Sequence, residues 1–139
     1  MGQKGKNIVI IGTLDTKGEE ALYLKELIKR RGHRPLVMDV GTGGRVPFQP
    51  DITREEVALA TGRTLKEILA TTDKYTDGLT TMAMGAKSII QKLIVEKKID
   101  GLLSVGGAVR IVRGLECPAK RPSVHVQGGL AVHKDVVLD

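Results

Sequence analysis

Short continuous apolar runs alternate along the chain with stretches of helical period. Residues 7–12, Asn-Ile-Val-Ile-Ile-Gly, are apolar, β-branched and closed by glycine. That is the pattern of a strand buried on both faces of a parallel sheet. From Gly18 to Arg31, Ala21, Leu22, Leu24, Leu27 and Ile28 recur at helical spacing, with Glu19 and Glu20 in the first turn. Lys29-Arg30-Arg31 close this helix with charges that complement its dipole, and Gly32 follows as a stop. Residues 35–40, Pro-Leu-Val-Met-Asp-Val, predict a second buried strand with Asp39 near its end. Strand, helix and strand within this length make a βαβ unit.

A loop rich in Gly and Pro occupies residues 41–52. Thr53-Arg-Glu-Glu56 and Thr64-Leu-Lys-Glu67 are capping boxes, each opening a short helix. A longer helix is predicted from Asp77 to Lys98, with Met82, Ala86, Ile89, Ile90, Leu93 and Ile94 on its apolar face and Met84 also assigned to the core. Asp100-Gly-Leu-Leu-Ser-Val-Gly-Gly107 reads as a third strand running into a glycine turn. Beyond Gly107 the pattern weakens; Val124–Gln127 and Val136–Leu138 are the candidate strands there. The fold class is therefore α/β: a Rossmann-like three-layer fold with a mostly parallel sheet, read as an incomplete domain.

Composition narrows the functional classes. The chain has 139 residues, 41% hydrophobic and 27% charged, which suits one folded domain. Its longest apolar run is far too short to span a bilayer, and Met1–Lys6 has no apolar segment of the secretory kind. One cysteine, Cys117, rules out an internal disulfide framework and makes a reduced, cytoplasmic setting the expectation. The net charge of +6 raises the question of nucleic acid. Only three aromatic residues are available for base stacking, and the basic residues sit at helix ends, so a nucleic-acid partner is not expected.

In open α/β sheets, ligands bind at the carboxyl ends of the strands. Three loops qualify: 12–18, 39–44 and 104–107. In the first, Gly12 and Gly18 let a ligand approach the backbone, Thr13 and Thr16 offer hydroxyls, and Lys17 offers a point charge. All lie beside a helix N-terminus, whose amides and dipole favour anions. Asp15 has three possible uses: a sugar hydroxyl, Mg²⁺ through water, or the helix cap. The loop is neither a Walker A sequence nor Gly-x-Gly-x-x-Gly. A plain strand-to-helix turn, with Asp15 or Thr16 as cap and Lys17 in solvent, accounts for the same residues. Asp39 stands where a ribose-binding carboxylate often sits. No two histidines have metal-ligand spacing, so no metal centre is expected. Cys117 has no evident base beside it.

The string Ile8-Val-Ile-Ile-Gly-Thr-Leu-Asp-Thr-Lys-Gly-Glu-Glu20 belongs to a larger constellation. With it go Asp39-Val-Gly41, Pro47-Phe-Gln-Pro-Asp-Ile-Thr-Arg-Glu-Glu-Val57 and Ile99–Gly107. Together they resemble the tomato mosaic virus resistance protein-like ATP-binding family, over roughly residues 7–107. The resemblance implies two Rossmann-like subdomains with ATP in the cleft between them, often in an oligomer. It puts Gly12, Thr13, Asp15, Thr16 and Lys17 on a first nucleotide-contacting loop and Asp39 and Gly41 on a second. Gly106 and Gly107 would begin a glycine-rich turn. There the chain departs from the family, continuing Ala108-Val109-Arg110. The expected organisation is a nucleotide-binding subdomain over 1–107 and a divergent tail over 108–139, from a frameshift or a truncation after Gly107. The neighbouring DNA, read in its other two frames, tests that.

The functional expectation is ATP binding, with Mg²⁺, and phosphates on the loop Gly12–Gly18. No residue in these loops has the setting of a general base, so cleavage of ATP and any catalytic residue stay open. The alternatives are an ATP-regulated module that binds itself or another protein, and a fragment without a competent site.

Overall fold

The structure, a computed structural model, describes residues 5–70, 77–105, 123–126 and 130–133. Its elements are β1 (Asn7–Gly12), α1 (Leu14–Arg30), β2 (Arg34–Asp39), α2 (Arg54–Leu59), α3 (Leu65–Leu69), α4 (Asp77–Val95), β3 (Gly101–Val105), β4 (Ser123–Val126) and β5 (Leu130–His133). The sheet order is β2-β1-β3-β5-β4. β1 lies between β2 and β3 and runs parallel to both, pairing Gly12 with Asp39 on one side and with Val105 on the other. β5 joins β3 antiparallel, and β4 joins β5 in the same sense. The other side of β2 is partly covered by the chain at Ile52, which forms a parallel bridge to Met38.

Alternation along the strands divides the core into two layers. Ile8 and Ile10 of β1, Val37 of β2, and Leu103 and Val105 of β3 pack with Leu14, Ala21, Leu24 and Ile28 of α1. Val9, Ile11, Met38 and Leu102 pack on the opposite face with α2, α3 and α4. Both faces of the three parallel strands are thus covered, which is why their sequences read as continuous apolar runs. Each fully buried aliphatic side chain contributes about 1.5–3 kcal/mol by burial.

The helices follow their local signals. Thr53 and Glu56 make both bonds of a capping box at α2. At α3 the Thr64 side chain accepts from the Glu67 amide. α1 begins earlier than the apolar period predicts, but its backbone leaves helical geometry at Lys17 (φ −123°, ψ 23°), so the regular helix starts at Gly18. On α4, Met82, Ala86 and Ile90 are buried, four residues apart. Met84, expected in the core, is 64% exposed, because two residues of helical rotation turn it away from that face. The close approach of α4 to α2 is set by Gly85, where any Cβ would collide with the Val57 carbonyl oxygen. α4 ends with Lys97 in the left-handed region (φ 56°) and the Lys98 amide donating to the Leu93 carbonyl. That is a Schellman ending with lysine where glycine is usual. The exposed Lys98 ammonium sits 2.9 Å from the Glu96 carboxylate and holds its pKa below the ordinary value, chiefly through that hydrogen bond.

Ser123–Val126 agrees with the expected strand at 124–127, β5 was not expected, and Val136–Leu138 lies outside the described residues. Among the described residues no helix is long and apolar enough to cross a membrane.

Candidate functional site

The chain leaves β1 through α1 on one face to reach β2, and returns through α2–α4 on the other face to reach β3. Strand order therefore reverses direction between β1 and β3. In open α/β sheets, the carboxyl ends of the strands at such a switch point are where ligands commonly bind. Gly12 and Val105 are the registered ends of β1 and β3 there. Thr13, the N-cap of α1, is half-buried; its side chain caps no backbone amide and instead bonds the Thr16 hydroxyl (2.7 Å between oxygens). The Lys17 amide donates to the Thr13 carbonyl at 2.8 Å, making one tight turn before the kink.

The N-cap of α1 is Thr13; the expected alternatives for the cap, Asp15 and Thr16, lie two and three residues further on, within its first turn. Asp15 instead faces Arg54. Its Oδ1 is 3.8 Å from the Arg54 Nη2, too far for a hydrogen bond, and both atoms are buried without a hydrogen-bond partner among the described residues.

Arg54 was not singled out by the sequence, where it appears only inside the capping box Thr53–Glu56 and the string Pro47–Val57. In the structure its side chain is only 9% exposed. Nε donates to Asp39 Oδ2 at 2.8 Å and Nη1 donates to the Gly43 carbonyl at 2.8 Å. Asp39 is 1% exposed, and its Oδ1 accepts from the amides of Gly41 (2.9 Å) and Leu14 (3.2 Å). One carboxylate thus ties the turn after β2, the first residue of α1 and the start of α2. The position gives Asp39 an organising role: both oxygens already accept bonds from the protein.

Glycine is required where the loop crosses this pair. A Cβ on Gly41 would lie 2.6 Å from Asp15 Oδ1 and 2.8 Å from Arg54 Nη2. Gly44 has φ +66°, and a Cβ there would lie 2.6 Å from Asp15 Cβ. Farther along, Pro47 packs directly on Gly18, fastening the loop to α1. Between the loop and α2 lies a pocket of about 300 Å³, lined by Asp39, Gly44, Phe48, Gln49, Arg54 and Glu55 among others. Lys25 sits over the Phe48 ring, 5.6 Å from its centroid.

Of the residues selected from sequence, Gly12, Thr13, Asp15, Thr16, Lys17, Asp39 and Gly41 gather at this end of the sheet. Gly106, Gly107 and Cys117 lie outside the described residues. His33 lies at the opposite end, where its Nδ1 accepts from the Lys6 amide at 3.0 Å. Ser104, near the end of β3, is completely buried, and its hydroxyl has no hydrogen-bond partner among the described residues. Among the described residues no group of three or more His, Cys, Asp or Glu could hold a metal ion.

The fold defines a three-layer α/β protein whose parallel core has three strands. The chain belongs to the uncharacterised protein family UPF0261: residues 6–111 match the model of that family's N-terminal domain. It is 36% identical to a UPF0261 protein of Clostridium tetani over 103 residues, 74% of this chain and 25% of that protein. It is 32% identical over 117 residues to one of Brucella melitensis, covering 84% of this chain and 28% of the relative. A Rhizobium meliloti relative is 34% identical over 102 residues, 73% of this chain and 24% of the relative. The chain spans about a quarter of the length of these curated relatives. No solved structure matches it.

The resemblance to the tomato mosaic virus resistance protein-like family is thereby corrected. The motifs that suggested it, residues 8–20 among them, fall within the UPF0261 match, and the curated matches are bacterial UPF0261 proteins. With that resemblance goes the support it lent to an ATP cleft between two subdomains and to an interaction module. The family match runs to residue 111, past the Gly107 boundary drawn from the sequence pattern.

Proposed function

We propose that this chain binds a nucleotide at the carboxyl ends of β1 and β3, with ATP and Mg²⁺ as the first ligand to test. The observation that carries the reading is the switch point between β1 and β3, with the turn Gly12-Thr13 leading from it into the first turn of α1, which precedes the kink at Lys17 and the regular helix from Gly18. The helix dipole favours phosphate there, although the Leu14 amide already donates to Asp39, and the Thr16 and Lys17 amides to the Thr13 carbonyl. Lys17, half-buried at the kink, supplies a cation on the same turn. Asp39 serves by holding Leu14, Gly41 and Arg54 in place, and so acts on the ligand through the loops.

Mg²⁺ keeps several waters and is commonly held by one or two carboxylates plus substrate phosphates. Asp15, partly exposed in the first turn of α1, suits a water-mediated contact of that kind. Asp39, with both oxygens engaged, does not. Binding is the proposed function, and no step of chemistry is assigned.

Thermal unfolding with ATP, in the presence and absence of Mg²⁺, tests the reading. Ligand at about 100 times its Kd adds about 2.7 kcal/mol, a rise of several degrees in Tm. An unchanged Tm at millimolar ATP under both conditions contradicts it.

A further inference from the structure

The cations at this end of the sheet are not equivalent. Arg54 is engaged by Asp39 and faced by Asp15, so its charge is met by two carboxylates before any ligand arrives. The pocket beside it carries the further carboxylate of Glu55. Such a pocket disfavours a phosphate and suits a neutral, planar group with polar edges. Phe48 supplies a half-buried aromatic ring in its wall, with the Lys25 ammonium, which does not line the pocket, 5.6 Å from the ring centroid, and Gln49 supplies an amide that both donates and accepts. In a chain with three aromatic residues, one lining a pocket beside the strand ends is a distinctive placement. At about 300 Å³ the pocket is at the lower end of the usual range for ligand sites.

Pocket and phosphate loop also share a wall. Asp39 lines the pocket and bonds the first amide of α1; Gly44 lines the pocket and packs against Asp15. One ligand touching both regions would carry its anionic end toward Lys17 and its neutral end toward Phe48. We propose that the pocket takes the base of the nucleotide, with Phe48 as its stacking platform and Gln49 at the base edge. This rests on the nucleotide reading above and adds to it the division of the site into a phosphate end and a base end.

The test uses calorimetric titration of the 139-residue chain with ATP and with inorganic tripolyphosphate, which has no base. Base–aromatic stacking is lost in Phe48→Ala, so its ATP affinity should fall about 5- to 150-fold while its affinity for tripolyphosphate stays at the wild-type value. Phe48→Trp keeps the platform and introduces an indole into a chain without tryptophan. It should bind ATP within a few-fold of wild type, and its emission should change on saturation. Unchanged ATP affinity in Phe48→Ala, equal loss of both ligands, or indole emission indifferent to saturating ATP overturns the base assignment. Wild-type protein that fails to bind ATP at all overturns the nucleotide reading itself, and this assignment with it.

Discussion

Arg54 and Asp39 form a buried ion pair, Nε to Oδ2 at 2.8 Å, that joins the start of α2 to the end of β2. Removing Asp39 leaves the buried Arg54 with only the more distant Asp15 carboxylate, at 3.8 Å, against its charge; breaking a buried pair costs about 3–5 kcal/mol. Asp39→Ala should therefore lower stability by that amount in urea titrations. The double variant Asp39→Ala, Arg54→Met should be less destabilised than the sum of the single changes, because the guanidinium that Asp39→Ala alone leaves without its hydrogen-bonded partner is also gone; Asp15 loses its counter-charge in both Arg54 variants. Additive effects would show that the pair is not coupled.

Arg54→Lys is a sharper probe of geometry. The guanidinium reaches Asp39 through Nε and the Gly43 carbonyl through Nη1 at once. A lysine ammonium is a single point and cannot reproduce that fork. Chemical denaturation should show a loss of about 1–3 kcal/mol, the cost of a buried group left unsatisfied. Wild-type stability in Arg54→Lys would mean that only the charge matters.

Two neighbouring glycines make a controlled comparison. Gly41→Ala pushes a methyl group between Asp15 Oδ1 and Arg54 Nη2, whereas a Cβ at Gly43 meets nothing within 4 Å. Overpacking predicts about 1–3 kcal/mol of destabilisation for Gly41→Ala. Gly43→Ala should be near neutral. Equal Tm values for the two variants would contradict the cradle.

α4 offers a change in the opposite direction. Lys97 holds a left-handed backbone conformation that costs a residue with a side chain about 1–2 kcal/mol. Lys97→Gly removes that cost and loses part of the gain to the greater freedom of the unfolded chain. A net stabilisation of about 0.5–1 kcal/mol is expected from urea midpoints. A lower midpoint would contradict the Schellman ending.

The three parallel strands were legible because burial on both faces leaves their sequences apolar without interruption, as at Ile8–Ile11. The helical starts were legible where a local signal exists, at Thr53, Thr64 and Gly18. Met84 was misassigned because apolar identity was weighed above its angle on the helix. The strand-end loop residues were legible by position, since strand ends of an open sheet are where ligands sit. Arg54 was not. Its significance comes from Asp39, 15 residues away in sequence, and a charge inside a capping box carries no sign of that partner. Asp39 was noticed as a ligand carboxylate, while its hydrogen bonds make it an organiser of three segments. β5 escaped because an antiparallel strand of four residues has too few positions to show a period.

The most direct measurement is the calorimetric affinity of wild-type protein and of Lys17→Ala for ATP with Mg²⁺. The account predicts saturable binding by the wild type. It also predicts at least about tenfold weaker binding by Lys17→Ala, the loss of about one charge-assisted contact to phosphate. Because Lys17 is only half-buried, the Tm without ligand should change little. Equal affinities, or no binding by either protein, would contradict the assignment of phosphate to the loop Gly12–Gly18.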